Sequence, residues 1–156
     1  MSIGIRRRTE DVLEICEHIE LACAELYHYF ADLFKNERGD MLLWLKTAME
    51  EENHAMQFTL IAKLKRQKII SSIQIDPVDA EITLIYIRSL IEKSKKTPPT
   101  QKEALQLAIN LENKMAALHI ENVITFVDPS YEITFLAISQ SDRKHLESLQ
   151  EAYDRL

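Results

Sequence analysis

Apolar residues recur at helical spacing along most of the chain and predict four long helices. The first runs from about Ile5 to Phe34, and the second runs from about Asp40 to Arg66. The third covers about Thr100 to Phe126, and the last helix follows the break at Val127–Ser130 and runs to about Tyr153. Because the first connection is short, the second helix is expected to lie antiparallel to the first.

Between the two predicted hairpins the pattern changes. Residues 71–75 have the character of an irregular or extended crossover. Asp76 and Pro77 then mark the start of a shorter helix, with Asp76 as the cap and Pro77 in its first turn. That helix is expected to end near Lys95, before the segment 97–100 with its two prolines. The layout predicts an all-α, ferritin-like four-helix bundle, built from two antiparallel hairpins joined by a long crossover with a short extra helix.

Composition supports the all-α class and argues against nucleic-acid and membrane partners. The 156 residues suit a single domain spanning 1–156, and only two glycines are present, which favours long helices. The net charge of −6 offers no basic field for nucleic acid or for an anionic membrane surface. No apolar stretch approaches the roughly 20 residues of a membrane span, and no secretory segment follows Arg6–Arg8. The expected location is therefore cytoplasmic, with no nucleic-acid or membrane partner.

The two cysteines predict neither a disulfide nor a thiolate metal site. Cys16 and Cys23 lie two helical turns apart, about 10.5 Å along the axis, which is too far for a disulfide bond. They are expected to be small buried side chains.

Each half of the chain carries two carboxylates and one histidine in the same order. A lone carboxylate is followed, at nearly equal distance, by a carboxylate three residues before a histidine. The first set is Glu20, Glu51 and His54, and the second set is Glu112, Asp142 and His145. Residues three apart on a helix project to the same side, so each pair can reach one point in a bundle core. One such pair, like Glu25 with His28, arises by chance; the duplication at matched distance does not.

Helical phase places these acids inside the bundle. Glu20 shares its stripe with Cys16, Cys23 and Tyr27, whereas Glu51 is in line with Trp44. Four buried, ionised carboxylates must be protonated, paired with cations or bound to metal. Two divalent cations would balance the charge of four carboxylates, and two neutral imidazoles would add no charge. Mixed oxygen and nitrogen donors suit iron or manganese, and zinc competes by affinity. The prediction is a site for two iron ions, with manganese or zinc as alternatives.

The chain also resembles the rubrerythrin-like branch of the ferritin-like superfamily over roughly residues 8–152. The resemblance rests on Glu20 followed by Tyr27-His-Tyr-Phe-Ala, on Glu51-Glu-Asn-His54, on Ala108-Ile-Asn-Leu-Glu112 and on Asp142-x-x-His145. It implies a di-iron bundle that reacts with dioxygen or hydrogen peroxide and forms at least a homodimer. Tyr27 is then the candidate catalytic residue beside the ligands, with a core aromatic as the alternative role.

Three departures from the family pattern shape these expectations. The chain shows no four-cysteine rubredoxin domain, so a separate electron donor is implied. Met115 stands where rubrerythrins carry an additional glutamate, which weakens the inference of peroxidase activity from the resemblance. Asp142 replaces a glutamate and is one methylene shorter, which predicts a second metal position that is either looser or empty. Glu52 stands where the similar bacterioferritins have a haem-ligating methionine, so no haem is expected.

The favoured function is therefore a ferroxidase-like or peroxidase-like oxidoreductase of oxidative-stress defence or iron handling. Two alternatives stay open. A metal-binding or delivery protein would use the same ligands without turnover, and a structural bundle would keep a vestigial polar core.

Overall fold

Helices account for most of the chain in the computed structural model, which confirms the all-α class. The structure describes the backbone of residues 2–118 and 124–156, and the side chains of these residues except 2–11, 66 and 134–143. Within this part of the chain, no helix is both long and apolar enough to cross a membrane.

Five α-helices and one small sheet are described. The helices are α1 (Ser2–Leu33), α2 (Arg38–Arg66), α3 (Pro77–Lys96), α4 (Gln101–Met115) and α5 (Pro129–Asp154). A 3-10 turn at Ala116–Leu118 follows α4, and the strands β1 (Ile70–Ile73) and β2 (Ile124–Phe126) form an antiparallel pair.

Side chains at the helix starts explain where three of the helices begin. Asp76 accepts a hydrogen bond from the Val78 backbone N–H at 2.9 Å, and Asp128 accepts one from Ser130 N–H at the same distance. Before α4, Thr100 and Glu103 form a reciprocal capping box. These contacts satisfy backbone donors that have no partner within the helix.

The predicted third helix is wrong at its C-terminal end. The sequence pattern predicts that it continues to Phe126, but α4 ends at Met115 and residues 124–126 form β2. Phe126 pairs with Ile70 and Ile124 pairs with Ile73. A short run of β-branched and aromatic residues has no decisive periodicity, and here a distant strand partner decides its conformation. That partner is the segment predicted as an extended crossover.

Packing brings the helices together in pairs. The helix α1 packs along α2, α4 packs against α5, and α2 also contacts α5. The extra helix α3 is 20 residues long and covers α1 with its buried face, where Tyr29 donates to the Ser94 carbonyl at 3.0 Å.

Aromatic side chains fill the core beside the helix pairs. Trp44 of α2 is fully buried and stacks on Tyr27 of α1, with ring centroids 5.8 Å apart. Phe30 meets the same indole edge-on at 4.9 Å. The indole N–H donates to the Gln101 side-chain oxygen at 3.1 Å, which links α2 to the start of α4. This layer lies next to the predicted ligands and holds three helices in place.

Candidate metal centre

Five of the six predicted ligands lie together in the interior. Glu20 comes from α1, Glu51 and His54 from α2, Glu112 from α4, and His145 from α5. All five residues are buried. The residues of α2 project inward because they lie on the same side of that helix as the core residues Trp44 and Phe58.

The five residues form two groups that share one carboxylate. Glu20, Glu51 and His54 make up the first position, and Glu51, Glu112 and His145 make up the second position. In each group, one donor atom per residue lies within 4.8 Å of the others. Glu51 belongs to both positions, as a bridging ligand between two metal ions would.

One predicted ligand lies outside this description. Asp142 is in α5, three residues before His145, and its side chain is not among those described. Its assignment as a ligand stays a prediction.

The two oxygens of Glu51 face different histidines. In the first position, His54 Nδ1 lies 3.6 Å from Glu51 Oε2 and 3.5 Å from Glu20 Oε2. In the second position, His145 Nε2 lies 3.7 Å from Glu51 Oε1 and 3.5 Å from Glu112 Oε1. One carboxylate therefore offers a separate oxygen to each position.

Two buried polar atoms of the second position lack a hydrogen-bond partner. They are Glu51 Oε1 and His145 Nε2. A buried polar atom without a partner costs roughly 1–3 kcal/mol, so such atoms usually serve a function. Both atoms point into the group and are of the donor types that bind divalent transition metals. The residues present therefore fit a metal centre.

Tyr27 supports the second position from α1. Its hydroxyl donates a hydrogen bond to Glu112 Oε1 at 2.6 Å, and the residue is completely buried. Burial raises the pKa of Tyr27 well above its ordinary value of 10, and the charge of Glu112 raises it further. The phenol therefore stays protonated and remains a donor. Tyr27 is thus a hydrogen-bond donor to a predicted ligand, and its ring also belongs to the aromatic core. Its catalytic role stays a prediction.

Glu50 is a neighbour of the site that the sequence did not identify. Its carboxylate Oε2 contacts His145 Nδ1, the ring nitrogen that faces away from the metal position. Glu50 and Glu52 flank Glu51 equally in sequence, yet Glu52 instead contacts the exposed His28 at 2.6 Å. Only the packing of α5 against α2 distinguishes the two, so the sequence carried no signal for Glu50.

Electrostatic interactions within the group shift three pKa values. Burial raises the pKa of Glu51 well above 4.5, and the charges of Glu112 and Glu20 raise it further. Burial acts against ionisation of Glu112 too, but His145 and the Tyr27 hydrogen bond outweigh it and lower that pKa to about 2. Burial tends to lower the pKa of His145, whereas Glu112 and Glu50 raise it to about 9. Without metal, burial therefore favours the protonated form of Glu51, and the neighbouring carboxylates favour the cationic form of His145.

The two cysteines are buried free thiols, as expected. Burial raises the pKa of Cys23 well above 9, and the nearby charges of Glu51, Glu20 and Glu112 raise it further. Burial and Glu20 together raise the pKa of Cys16 to about 12. Both sulfurs therefore stay protonated beside the carboxylates.

Comparisons of the chain with protein-family models, with curated proteins and with solved structures each gave no match.

Proposed function

We propose that this protein binds two iron ions in a ferritin-like four-helix bundle and uses them to oxidise ferrous iron with dioxygen or hydrogen peroxide. The shared position of Glu51 between two buried carboxylate and histidine groups carries the proposal. A buried acid that offers one oxygen to each of two neighbouring donor groups has little use without two cations.

The donor set agrees with this choice of metal. Three carboxylates and two imidazoles form the described groups, and such mixed oxygen and nitrogen ligands are typical of iron and manganese centres. Carboxylate and carboxylate-x-x-His ligands on four helices are the pattern of ferritin-like di-iron proteins. The four helices α1, α2, α4 and α5 each supply at least one ligand here.

Bound ferrous iron would supply electrons, and the residues of the chain would hold the ions. Reduction of one hydrogen peroxide molecule to two waters would take two electrons and two protons. Glu51 holds both positions at once, while Tyr27 keeps Glu112 in place through its hydrogen bond. Burial of the ligands excludes bulk water from the reacting ions.

Metal binding or delivery without turnover is the second candidate. One observation favours it: Met115, at the place of the additional rubrerythrin glutamate, is a buried core residue, 4% exposed. A thioether there cannot serve as the extra carboxylate.

Anaerobic loading followed by oxidation distinguishes the two candidates. Purified protein is loaded with ferrous iron without oxygen, mixed with one equivalent of hydrogen peroxide or with dissolved dioxygen, and followed by its ferric absorption. We expect faster ferrous oxidation than in buffer, and loss of that acceleration when both His54 and His145 are replaced by Ala.

The control variant replaces His18 and His28, which are exposed, by Ala and should keep the full rate. Retained metal with no oxidation by either oxidant would support binding or delivery and reject the redox proposal. A rate that does not depend on His54 and His145 would also reject it.

A further inference from the structure

The two histidines of the site face the carboxylates with different ring nitrogens. His54 presents Nδ1, which lies 3.5 Å from Glu20 Oε2 and 3.6 Å from Glu51 Oε2. His145 presents Nε2, which lies 3.5 Å from Glu112 Oε1 and 3.7 Å from Glu51 Oε1. Oxygen and nitrogen ligands of one tetrahedral zinc ion, each about 2.1 Å from the metal, lie about 3.4 Å from one another. The separations at both histidines therefore suit atoms that share a metal ion.

The position of each histidine in the fold accounts for the difference. His54 lies on the same helix as Glu51, three residues further along, so its ring needs little reach. Nδ1 is the ring nitrogen nearer to the backbone, and it suffices there. His145 approaches the same carboxylate from α5, so its ring spans the gap between two helices with the outer nitrogen, Nε2.

Glu50 occupies the other nitrogen of the His145 ring. Its Oε2 is in direct contact with Nδ1, which leaves no room for an ion between these two atoms. Nε2 is buried and has no hydrogen-bond partner among the described residues. When a neutral imidazole binds metal, one nitrogen binds the ion and the other carries the proton, and the hydrogen bond of the second nitrogen decides the choice. The Glu50 carboxylate accepts the proton of Nδ1, so Nε2 is left for metal.

We propose that His54 binds metal through Nδ1 and His145 through Nε2, with Glu50 as the positioning residue that fixes the choice at His145. This inference rests on the metal centre of the proposed function, but it depends neither on the identity of the metal nor on redox chemistry. The Glu50 side chain is 20% exposed, so its replacement opens no sealed cavity in the core.

Zinc is the probe for the test because it is diamagnetic. Nitrogen NMR then distinguishes a metal-bound ring nitrogen from one that carries a proton. Protein with isotopically labelled histidine is loaded with zinc, and the ring signals are assigned to their residues. We expect zinc on Nδ1 of His54 and on Nε2 of His145, with the Nδ1 proton of His145 protected from exchange with water. His28, which is exposed, should show no zinc-bound nitrogen.

Glu50 and Glu52 provide matched variants. Both are next to Glu51, but Glu52 contacts the exposed His28 instead of a predicted ligand. Glu50→Ala should remove the protection of the Nδ1 proton and let zinc bind either nitrogen of His145. It should also weaken the zinc binding that depends on His145 by about 10- to 100-fold. Glu50→Gln keeps an oxygen that accepts a hydrogen bond and should restore zinc to Nε2 with part of the affinity. Glu52→Ala should change neither result.

Two results would overturn the inference: zinc bound through the same nitrogen in both histidines, or an unchanged His145 signal and affinity in Glu50→Ala. If Glu50→Ala fails to fold, Glu50→Gln must protect the Nδ1 proton less than the unaltered protein does, and equal protection would reject the role of Glu50. Neither result would affect the test of ferrous oxidation. Absence of zinc binding to the unaltered protein, in contrast, would reject the metal centre and the inference together.

Discussion

Among the residues of the site, Glu51 and His145 carry the protons that metal must displace. The pKa of Glu51 is raised by burial and by the neighbouring charges of Glu112 and Glu20. The pKa of His145 is about 9, despite its burial, because Glu112 and Glu50 favour the cation. Metal ligands bind in their deprotonated forms, so metal and protons compete for the same atoms.

Metal binding at pH 7 should therefore release the protons held by Glu51 and His145. We expect acidification of a weakly buffered solution on titration with zinc or cobalt, and metal affinity that rises between pH 6 and pH 9. A pH indicator or calorimetry in buffers of different ionisation enthalpy measures the release. The control His28→Ala should release the same number of protons. Binding without proton release would contradict the assigned protonation states.

Without metal, stability should fall as pH rises. The folded-state pKa of His145, about 9, exceeds its ordinary value of 6.5. Its stabilising contribution is therefore complete below about pH 6.5 and is lost as pH rises through about 9. Urea unfolding of metal-free protein at several pH values tests this. His145→Ala should flatten the decline, and an unchanged slope in that variant would contradict the prediction.

Tyr27 should contribute measurably to the stability of the metal-free fold. Tyr27→Phe removes a buried hydrogen bond to a carboxylate, and bonds to charged groups contribute about 1.5–3 kcal/mol. The matched control, Tyr29→Phe, removes a bond to the neutral Ser94 carbonyl and should cost about 0.5–1.5 kcal/mol. Urea unfolding at pH 7 measures both. If Tyr27→Phe loses no more free energy of unfolding than Tyr29→Phe, the hydrogen bond to Glu112 does not have the strength of a bond to a charged group.

At the scale of elements, the helix boundaries that the sequence predicts are those marked by local capping residues. The starts of α3, α4 and α5 carry Asp76, Thr100 and Asp128, whose side chains accept hydrogen bonds from backbone N–H groups, and all three breaks were expected from sequence. The sequence does not predict the end of α4 at Met115, because the strand pairing of Phe126 with Ile70 depends on residues far apart in the chain. Local sequence patterns therefore predict the helices, whereas the small sheet depends on tertiary contacts that these patterns do not show.

The Thr100 cap should stabilise α4 without affecting the metal ligands directly. Thr100→Ala removes the capping box with Glu103, and loss of such a cap costs about 1 kcal/mol. Thr83, a half-buried threonine within α3 whose hydroxyl donates to the Asp79 carbonyl of its own helix, is the control. Thr83→Ala should be neutral, because alanine is the better helix former. Chemical denaturation checks both, and equal effects would contradict the role of the cap.

At the scale of the whole molecule, the site depends on four helices meeting at one point. Tyr27 of α1 reaches Glu112 of α4, and Glu50 of α2 reaches His145 of α5, so the supporting contacts cross between the two helix pairs. The matched spacing in sequence predicts six converging residues, and the structure brings five of them together, while Asp142 stays a prediction. It could not show that Glu51 would be the shared one, because this depends on how the helices are offset and rotated.

The most direct test of the central claim is the iron content per chain of anaerobically loaded protein without a histidine tag, compared between the unaltered chain and Glu51→Ala. The account predicts two ferrous ions per chain for the unaltered protein and at most one for Glu51→Ala, because both positions lose a shared ligand. His18→Ala is the control and should bind two. A content of one or none in the unaltered protein, or two in Glu51→Ala, would contradict a centre bridged by Glu51.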